Sequence, residues 1–477
     1  MSRARRPRLS VHRPDGYYSA VLRLYLLCDW NLMMKSLVTT LSGLGILLSL
    51  SIPARAEDWP QWLGPNRDSN WTETGIVESF PAEGPRVLWR IPVAGGYAGP
   101  AVSNGRVYVT DFQTDADIAS LNDPGKRPEL KGVERVLCRD AKTGLEIWTK
   151  SYDCTYAISY PAGPRCTPTV HDGKVYALGA EGNLFCLDAG KGLELWSRDF
   201  KRDFNAKTPI WGFCGHPLVD GKKLICMVGG DKGVVYALNK DSGEILWTAL
   251  EASEPGYSPP TIIEAGGKRQ LIIWHSESIN GLDPETGSVY WSVPLKPQYG
   301  MAIMAPRKSG DFLFAGGIGF VSLALKLSAD KPAATEVWRG TPKTSVCPVN
   351  MTPYLEDGII YGVDQPGQFR AVRLETGERL WETFRPVTGM DTGRPLNSGT
   401  AFLVKNGDRF LLLGETGHLI IARLSPGRYE EISRSKILEP TGSAFGRHVL
   451  WSHPAFANKC VYARNDKELI CVSLAAE

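Results

Sequence analysis

The chain has 477 residues, with 54 Lys and Arg against 51 Asp and Glu, and it contains 14 tryptophans. Residues 1–56 hold eight of the basic residues and two of the acidic ones, so the remainder carries 46 basic and 49 acidic residues. This slightly acidic balance lacks the basic footprint of a nucleic-acid-binding protein, and we expect no nucleic-acid partner.

The first predicted element is a secretory leader. An apolar run from Leu37 to Ile52 is followed by Ala54, Arg55 and Ala56, which form a small-residue cleavage pattern. The run is short and rich in Ser, Thr and Gly, and no later apolar run approaches the length of about 18 residues that a membrane helix needs. We therefore predict a leader and signal peptide at residues 1–56, cleaved near Ala56, and a periplasmic or secreted chain without a membrane span.

An eleven-residue phrase ending in tryptophan recurs beyond a predicted strap at residues 57–87. Its copies are Cys138–Trp148, Cys186–Trp196, Ala237–Trp247, Gly281–Trp291 and Ala371–Trp381. In the first four copies an Asp or Asn stands four residues before a glycine, a spacing that predicts a tight turn between two strands. The tryptophan lies in the second strand, where we predict a structural ring between adjacent units. The tryptophans expected in this role are Trp89, Trp148, Trp196, Trp247, Trp291, Trp338 and Trp381.

Degenerate copies at Leu325–Trp338 and Ala422–Ile432 raise the count to seven internal units. The chain ends supply complementary halves of an eighth, because Trp89 lies in a strand with no turn before it and Cys471 lies in a strand with nothing after it. A repeat unit of a few short strands buries its apolar face only against neighbouring units. We therefore predict an all-β, eight-bladed β-propeller over residues 88–477, closed by pairing the N-terminal strand with the C-terminal blade.

The connections that precede the first strand of each blade are predicted to converge on one mouth of the central channel. They carry aromatic and polar side chains typical of a ligand site. An alternative interpretation is that these side chains only fill a narrow channel. A histidine bonded to a neighbour in the channel is commoner than a histidine that binds a metal, and we apply this to His216 and His453. We predict no metal site. The candidate ligand- or partner-binding residues are Arg165, Trp211, His216, Tyr257, Asn350, Arg394, Asn397, Trp451 and His453.

Nine cysteines remain after the leader, an odd number for an oxidising compartment. Three pairs are candidates for disulfides, although proximity in sequence does not establish their geometry. These pairs are Cys460 with Cys471, Cys154 with Cys166, and Cys214 with Cys226.

The repeated phrase in Ala237–Trp247, Gly281–Trp291 and Ala371–Trp381 resembles the pyrroloquinoline-quinone (PQQ) repeat. That repeat occurs in quinoprotein dehydrogenases and in non-enzymatic eight-bladed propellers such as the lipoprotein of the outer-membrane assembly machinery. The strap sequence, from Trp59 to Arg67, is similar to the start of secreted PQQ-like propellers of planctomycete-type bacteria. The resemblance covers nearly all of the chain after the leader and implies a propeller of PQQ type.

The dehydrogenase activity implied by one branch of this resemblance requires calcium, a base, a stacked tryptophan and two adjacent cysteines. No two cysteines are adjacent in this sequence, and the mouth connections are poor in carboxylates. Asp391, near Arg394 and Asn397, is the candidate base under that alternative, with PQQ and calcium as cofactors and an alcohol or sugar as substrate. A hydrolase or lyase would need paired carboxylates or a metal triad, and the sequence suggests neither.

A secreted, non-enzymatic binding or scaffolding propeller of the cell envelope is the interpretation that these observations favour. We expect no cofactor and a monomer. An envelope protein and a polysaccharide are both open as partners, because aromatic, arginine and amide groups suit either.

Overall fold

A computed structural model describes residues 57–122 and 124–476 of the protein. Eight four-stranded antiparallel sheets follow one another along this part of the chain, with one additional two-stranded hairpin. The predicted eight-bladed β-propeller is confirmed. Among the described residues, no helix is long and apolar enough to cross a membrane.

The strands β1–β34 account for nearly all of the regular structure. Their bounds, in chain order, are β1 Val87–Pro92, β2 Ala101–Ser103, β3 Arg106–Gln113, β4 Glu129–Asp140, β5 Glu146–Ala157, β6 Thr169–His171, β7 Lys174–Leu178, β8 Asn183–Asp188, β9 Glu194–Asp199, β10 Leu218–Asp220, β11 Lys223–Gly230, β12 Gly233–Asn239, β13 Ile245–Ala249, β14 Thr261–Ala265, β15 Lys268–Trp274, β16 Ser278–Leu282, β17 Val289–Pro294, β18 Arg307–Ser309, β19 Phe312–Gly317, β20 Val321–Leu327, β21 Ala334–Arg339, β22 Tyr354–Glu356, β23 Ile359–Val363, β24 Phe369–Arg373, β25 Arg379–Thr383, β26 Ala401–Asn406, β27 Arg409–Gly414, β28 His418–Leu424, β29 Tyr429–Lys436, β30 Gly442–Ala444, β31 Arg447–Val449, β32 Ala455–Ala457, β33 Cys460–Arg464 and β34 Glu468–Ser473.

Blades 1 to 7 are formed by consecutive groups of four strands from β2 to β29, and β30 and β31 form the separate hairpin. Three short helices lie in connections: α1 Ile118–Leu121, α2 Phe200–Phe204 and α3 Arg385–Thr388, together with a 3-10 turn at Gln298–Gly300. The first strands of neighbouring blades contact one another, for example β2 with β6 and β32, and β18 with β22. These short first strands therefore surround the central channel.

Blade 8 joins the two ends of the propeller. Its strand order is β1-β34-β33-β32, so an N-terminal strand forms the outer edge of a C-terminal sheet. In the antiparallel register, Trp89 lies opposite Cys471 and Arg90 opposite Ile470. The predicted ring closure is confirmed.

The repeated tryptophans lie against the turn of the next blade. The indole nitrogens of Trp89, Trp148 and Trp196 donate to backbone carbonyls of the following blade at 3.0, 3.1 and 3.0 Å. The turn glycine is required in two ways: Gly192 has φ +68°, and a Cβ there would lie 2.6 Å from the Trp148 ring. The turn and the ring that covers it are therefore one structural unit shared by two blades.

Two exceptions to this pattern have a structural explanation. Blade 5 lacks the turn glycine, and the Trp291 indole of blade 4 bonds Gln270 of its own blade at 2.8 Å instead. Blade 7 has Ile432 in place of tryptophan, and its neighbour, blade 8, has no turn between third and fourth strands because β1 comes from the other end of the chain. Ile432 packs instead in a cluster that includes Val77 and Phe80.

The strap, residues 57–87, crosses the face of the ring where the first two strands of each blade turn. Trp59 pairs with Val102 of blade 1 through two backbone hydrogen bonds of 2.8 Å. Further contacts reach blades 2, 3, 5, 6, 7 and 8, and they include Trp71 N–H to the Lys405 carbonyl at 2.9 Å and Val77 N–H to the Leu474 carbonyl at 2.9 Å. The strap therefore bonds nearly the whole ring on one face.

The nine cysteines among the described residues are all free thiols, and eight of them are buried. None of the three candidate disulfides is formed. Cys460 and Cys471 do lie on the neighbouring strands β33 and β34, as the sequence suggested, but they are offset because Cys460 is opposite Ser473 and Cys471 is opposite Tyr462.

Candidate binding site at the channel mouth

A cavity of about 580 Å³ lies on the channel axis, at the end away from the strap. This volume is within the range of about 300–1,000 Å³ that is usual for ligand pockets. The structure brings eight of the nine candidate binding residues into its lining. They are Arg165, Trp211, His216, Tyr257, Asn350, Asn397, Trp451 and His453.

Trp62 from the strap forms the floor of this cavity. Its ring packs against His216 at a centroid distance of 4.8 Å, with the two planes tilted by 37°, and meets His453 edge-on at 5.8 Å. His216 comes from blade 3 and His453 from blade 8, and the Trp62 ring between them joins them into one cluster. The sequence analysis missed Trp62 as a site residue. The sequence did contain one signal for it, because Trp62 is an aromatic residue in a strap long enough to cross the ring of blades.

Both channel histidines are neutral at ordinary pH. Burial lowers the pKa of His216 well below its usual range, and the nearby Arg67 guanidinium lowers it further. Burial also lowers the pKa of His453 to about 3. A neutral imidazole offers one donor and one acceptor nitrogen, so these rings are available for polar contacts without adding charge.

Aromatic rings form the walls. Trp211 contacts Tyr257 at 5.8 Å and Tyr299 at 6.4 Å, both close to edge-to-face. On another side, Tyr160 contacts Trp451 at 5.9 Å. The indole nitrogen of Trp451 donates to the buried Glu415 carboxylate at 3.3 Å, and this contact fixes the ring orientation.

Two rim residues combine exposure with backbone strain. The side chains of Tyr299 and Phe445 are 64% and 44% exposed, although both are large and apolar. Both also have positive φ, +58° and +50°, in a region that such residues rarely adopt. Strained, exposed aromatic residues at the edge of a cavity are typical of a binding site, where the surrounding structure holds an unfavourable local conformation.

Several polar atoms deep in the cavity lack a well-formed hydrogen bond within the described residues. They are Trp62 Nε1, both ring nitrogens of His216, the Tyr257 hydroxyl and Asn350 Nδ2. Burial also raises the pKa of Tyr257, so its hydroxyl stays protonated. Unpaired buried polar atoms are costly, and they are usually satisfied by water or a ligand.

Arg165 is the one charged side chain in the lining, and the loop around it uses its hydrogen-bonding capacity. Its guanidinium donates to the carbonyls of Gly163, Ser159 and Tyr160, the last two at 2.8 and 2.6 Å. It also lies over the Tyr97 ring, with its central carbon 5.0 Å from the ring centroid. Arg165 therefore shapes the loop from Ser159 onward.

Asp391 and Arg394 do not line the cavity. Both are exposed, and the Asp391 carboxylate lies 3.5 Å from Arg385 in a surface ion pair. The connection between β25 and β26 is long and contains α3, so only its C-terminal part, at Asn397, reaches the mouth. No Asp or Glu lines the cavity, and no group of three or more His, Cys, Asp or Glu that could hold a metal occurs in residues 57–122 and 124–476.

A second, larger groove of about 1090 Å³ lies between the extended β3–β4 hairpin and blade 8. Three of its polar side chains have local partners: Asp117 caps α1 through Ala119 N–H at 3.2 Å, Thr114 donates to the Lys131 carbonyl at 2.9 Å, and Asp466 accepts from Gly96 N–H at 3.2 Å. We regard the axial cavity as the candidate site because the mouth residues and the aromatic walls converge there.

Residues 132–317 and 275–477 match the protein family described as outer membrane protein assembly factor BamB. These stretches together cover well over half of the chain. The chain belongs to this family. The resemblance to PQQ-repeat propellers that the repeated phrase indicates is therefore confirmed.

One curated BamB relative and two solved structures are similar to this chain, the structures in fold alone. The outer membrane protein assembly factor BamB of Yersinia pestis is 25% identical over 198 residues, which are 40% of this chain and 48% of that protein. The chain thus matches about half the length of this curated relative. The crystal structure of BamB from Moraxella catarrhalis has a TM-score of 0.54 at 14% identity and covers 82% of this chain and 99% of its own.

A quinohemoprotein alcohol dehydrogenase from Comamonas testosteroni has a TM-score of 0.56 at 13% identity, covering 88% of this chain and 81% of its own. At this identity the likeness concerns the fold alone. The described lining residues do not fit calcium and PQQ, because none of them supplies a carboxylate for the cation. PQQ itself carries three carboxyl groups, and the one cation in the lining, Arg165, is already bonded to three carbonyls.

Proposed function

We propose that this member of the BamB family is a non-enzymatic binding propeller of the cell envelope whose ligand or partner enters the channel-mouth cavity. The observation that carries the proposal is the axial cavity of about 580 Å³, whose aromatic walls surround buried polar atoms of Trp62 and Asn350 that have no hydrogen-bond partner among the described residues. If these side chains served only to fill the channel, their buried polar atoms would bond other protein groups.

The proposal includes the absence of catalysis. Among the residues that the structure describes, neither a carboxylate nor a metal-ligand cluster lines the cavity, and these are the groups that acid–base, hydrolytic and quinone chemistry would need. The names of the BamB relatives place them in outer membrane protein assembly. An envelope scaffold is therefore the setting that we propose for this chain, as a secreted monomer cleaved near Ala56 with a strap at 57–87 and a propeller at 88–477.

A photo-crosslinking experiment tests occupancy of the site. A benzophenone amino acid replaces Tyr299 at the rim, and the matched control carries it at Met390, which is 60% exposed and does not line the cavity. In cells that produce the full chain, we expect light-dependent adducts from position 299 and none from position 390. Equal adducts from both positions, or none from position 299, would contradict the proposal.

A titration with PQQ and calcium tests the dehydrogenase alternative. We expect neither saturable quenching of tryptophan fluorescence nor dye reduction with simple alcohols and sugars. Saturable quenching together with turnover would overturn the non-enzymatic assignment.

A further inference from the structure

We propose that the channel-mouth cavity is a binding site for a neutral saccharide, the end of an oligosaccharide or polysaccharide chain. The inference rests on the proposed function above and names the class of its ligand. Three properties of the described residues carry it: the aromatic surfaces, the polar atoms between them and the lack of usable charge.

The aromatic surfaces match the shape of a sugar ring. A pyranose has two faces of C–H groups, which favour contact with flat aromatic rings, and a rim of hydroxyl groups. Trp211 with Tyr257 and Tyr160 with Trp451 supply aromatic rings at two positions around the cavity. Tyr299 and Phe445 continue the aromatic surface to the rim, where they are 64% and 44% exposed. A saccharide chain longer than the cavity has aromatic contacts along its exit path.

The polar atoms match the hydroxyl rim. Trp62 Nε1 and Asn350 Nδ2 are donors, the Tyr257 hydroxyl is both donor and acceptor, and neutral His216 supplies one of each. Each sugar hydroxyl also donates and accepts, so it is the chemical complement of these atoms, which are almost fully buried and are reached only when the surrounding side chains shift. His216, Tyr257 and Trp62 are 8%, 3% and 4% exposed, and a ligand that leaves them unpaired loses affinity.

The charges disfavour the other ligand classes. Three of the five N–H groups of Arg165 bond the carbonyls of Ser159, Gly163 and Tyr160, so this side chain offers an acidic saccharide at most two donors. Cationic ligands need carboxylates, and none of the described residues in the lining supplies one. A peptide that binds by strand addition needs a free strand edge, whereas side chains of the strap and the blade connections supply the polar atoms of this cavity.

The same lack of carboxylates makes the site one of binding without hydrolysis. Glycoside cleavage requires a pair of carboxyl groups about 5–9.5 Å apart on either side of the scissile bond. Glu415, close to the site behind Trp451, is bonded to Arg447 at 2.8 Å and accepts the Trp451 indole, so it positions a wall residue.

Isothermal titration calorimetry and tryptophan fluorescence with a defined panel test the inference. The neutral probes are cellotetraose, maltotetraose, xylotetraose and mannotetraose, and tetragalacturonate is the acidic control. We expect saturable binding of at least one neutral probe and none of tetragalacturonate. The variants Trp211→Ala and Phe445→Ala should weaken that binding at least about tenfold. Met390→Ala removes an exposed apolar side chain outside the cavity and should leave the binding unchanged.

The possible outcomes separate this inference from the proposed function. Binding of tetragalacturonate alone, or binding that Trp211→Ala and Phe445→Ala leave intact, overturns the saccharide inference. The same holds if no probe binds while crosslinking at position 299 captures a polypeptide, although the proposed function then stands. If no probe binds and position 299 gives no adduct, both are overturned. Phe445→Ala alters an exposed rim residue, so it keeps the test valid if Trp211→Ala fails to fold.

Discussion

The two ends of the central channel are built from the same eight blades, but they differ in how completely they are bonded. At the strap end, the buried Arg67 donates to the Pro217 and His216 carbonyls at 3.0 and 3.2 Å, and Arg307 donates to the Arg67 and Asp68 carbonyls at 2.8 Å each. Burial lowers the pKa of Arg67 to about 10, a value that still leaves the guanidinium charged at neutral pH. This end is a closed, satisfied structure.

At the mouth end, polar atoms of Trp62, His216, Tyr257 and Asn350 lack partners, and strained aromatic residues stand at the rim. Buried polar atoms without partners reduce stability, and so does a positive φ at a large residue. The comparison indicates that the strap holds the ring together at one end, while the other end keeps a cavity of about 580 Å³ with aromatic walls.

The largest expected effect distinguishes the floor of the cavity, which the strap supplies, from its wall, and it comes from the loss of one tryptophan at each. Trp62→Ala removes a ring that is 4% exposed and contacts both channel histidines, and it should lower the free energy of unfolding by about 3–5 kcal/mol. Trp211→Ala removes a half-buried wall ring and should cost at most about 2 kcal/mol. Urea unfolding of both variants measures the difference. Equal losses would mean that the mouth is packed for stability in the same way as the floor.

The sequence predicts the propeller well because its signals are local. The Asp or Asn, the glycine and the tryptophan of each phrase lie within one turn and one strand, as the Gly192 and Trp148 contact illustrates. Ring closure is also predictable, since each chain end carries the strand that the other lacks. Eight candidate mouth residues lie at the cavity because most of them directly precede a first strand, whose position the fold determines.

The place of Trp62 in the cavity and the position of Asp391 could not be predicted, because neither is set by a local signal. Trp62 reaches His216 through a strap whose path depends on contacts with seven of the blades, and no local spacing encodes that path. The connection that carries Asp391 is long enough to form α3 and a surface ion pair with Arg385, so a residue within it is free to lie away from the axis. Position in the chain determines position in space only where the connection is short.

The buried histidines predict a pH dependence of intermediate size. A histidine whose pKa falls from about 6.5 in the unfolded chain to about 3 in the fold contributes full stability above pH 6.5, and this contribution decreases as the pH falls toward 3. Part of the His453 ring faces the cavity, where solvent offsets some of the burial, so we expect wild-type protein to lose about 1–2 kcal/mol more than His453→Gln between pH 7 and pH 5.

Urea unfolding at the two pH values provides the measurement, and His448→Gln, which alters an exposed histidine of the β30–β31 hairpin, is the matched control. Its pH dependence should equal that of wild type. If His453→Gln also shows an unchanged pH dependence, the ring is protonated without cost, and the mouth is wetter than its burial indicates.

The smallest expected effect compares two residues with the same backbone strain, one at each end of the channel. Their replacement by glycine should change the free energy of unfolding in different directions. Leu63 in the strap and Phe445 at the rim have φ values of +59° and +50°, but Leu63 is 6% exposed and Phe445 is 44% exposed. Replacement by glycine relieves a strain of about 1 kcal/mol at either position. At Leu63 the lost burial, about 2 kcal/mol, exceeds that relief, so Leu63→Gly should destabilise the protein by about 1 kcal/mol. At Phe445 little burial is lost, so Phe445→Gly should leave stability unchanged or raise it by up to about 1 kcal/mol while weakening saccharide binding.

Opposite signs in urea unfolding would show that the strap conformation is maintained by packing and that the rim conformation is maintained at a cost in stability, as expected of a residue retained for its ligand. A loss at both positions would instead make Phe445 a packing residue of the β30–β31 hairpin.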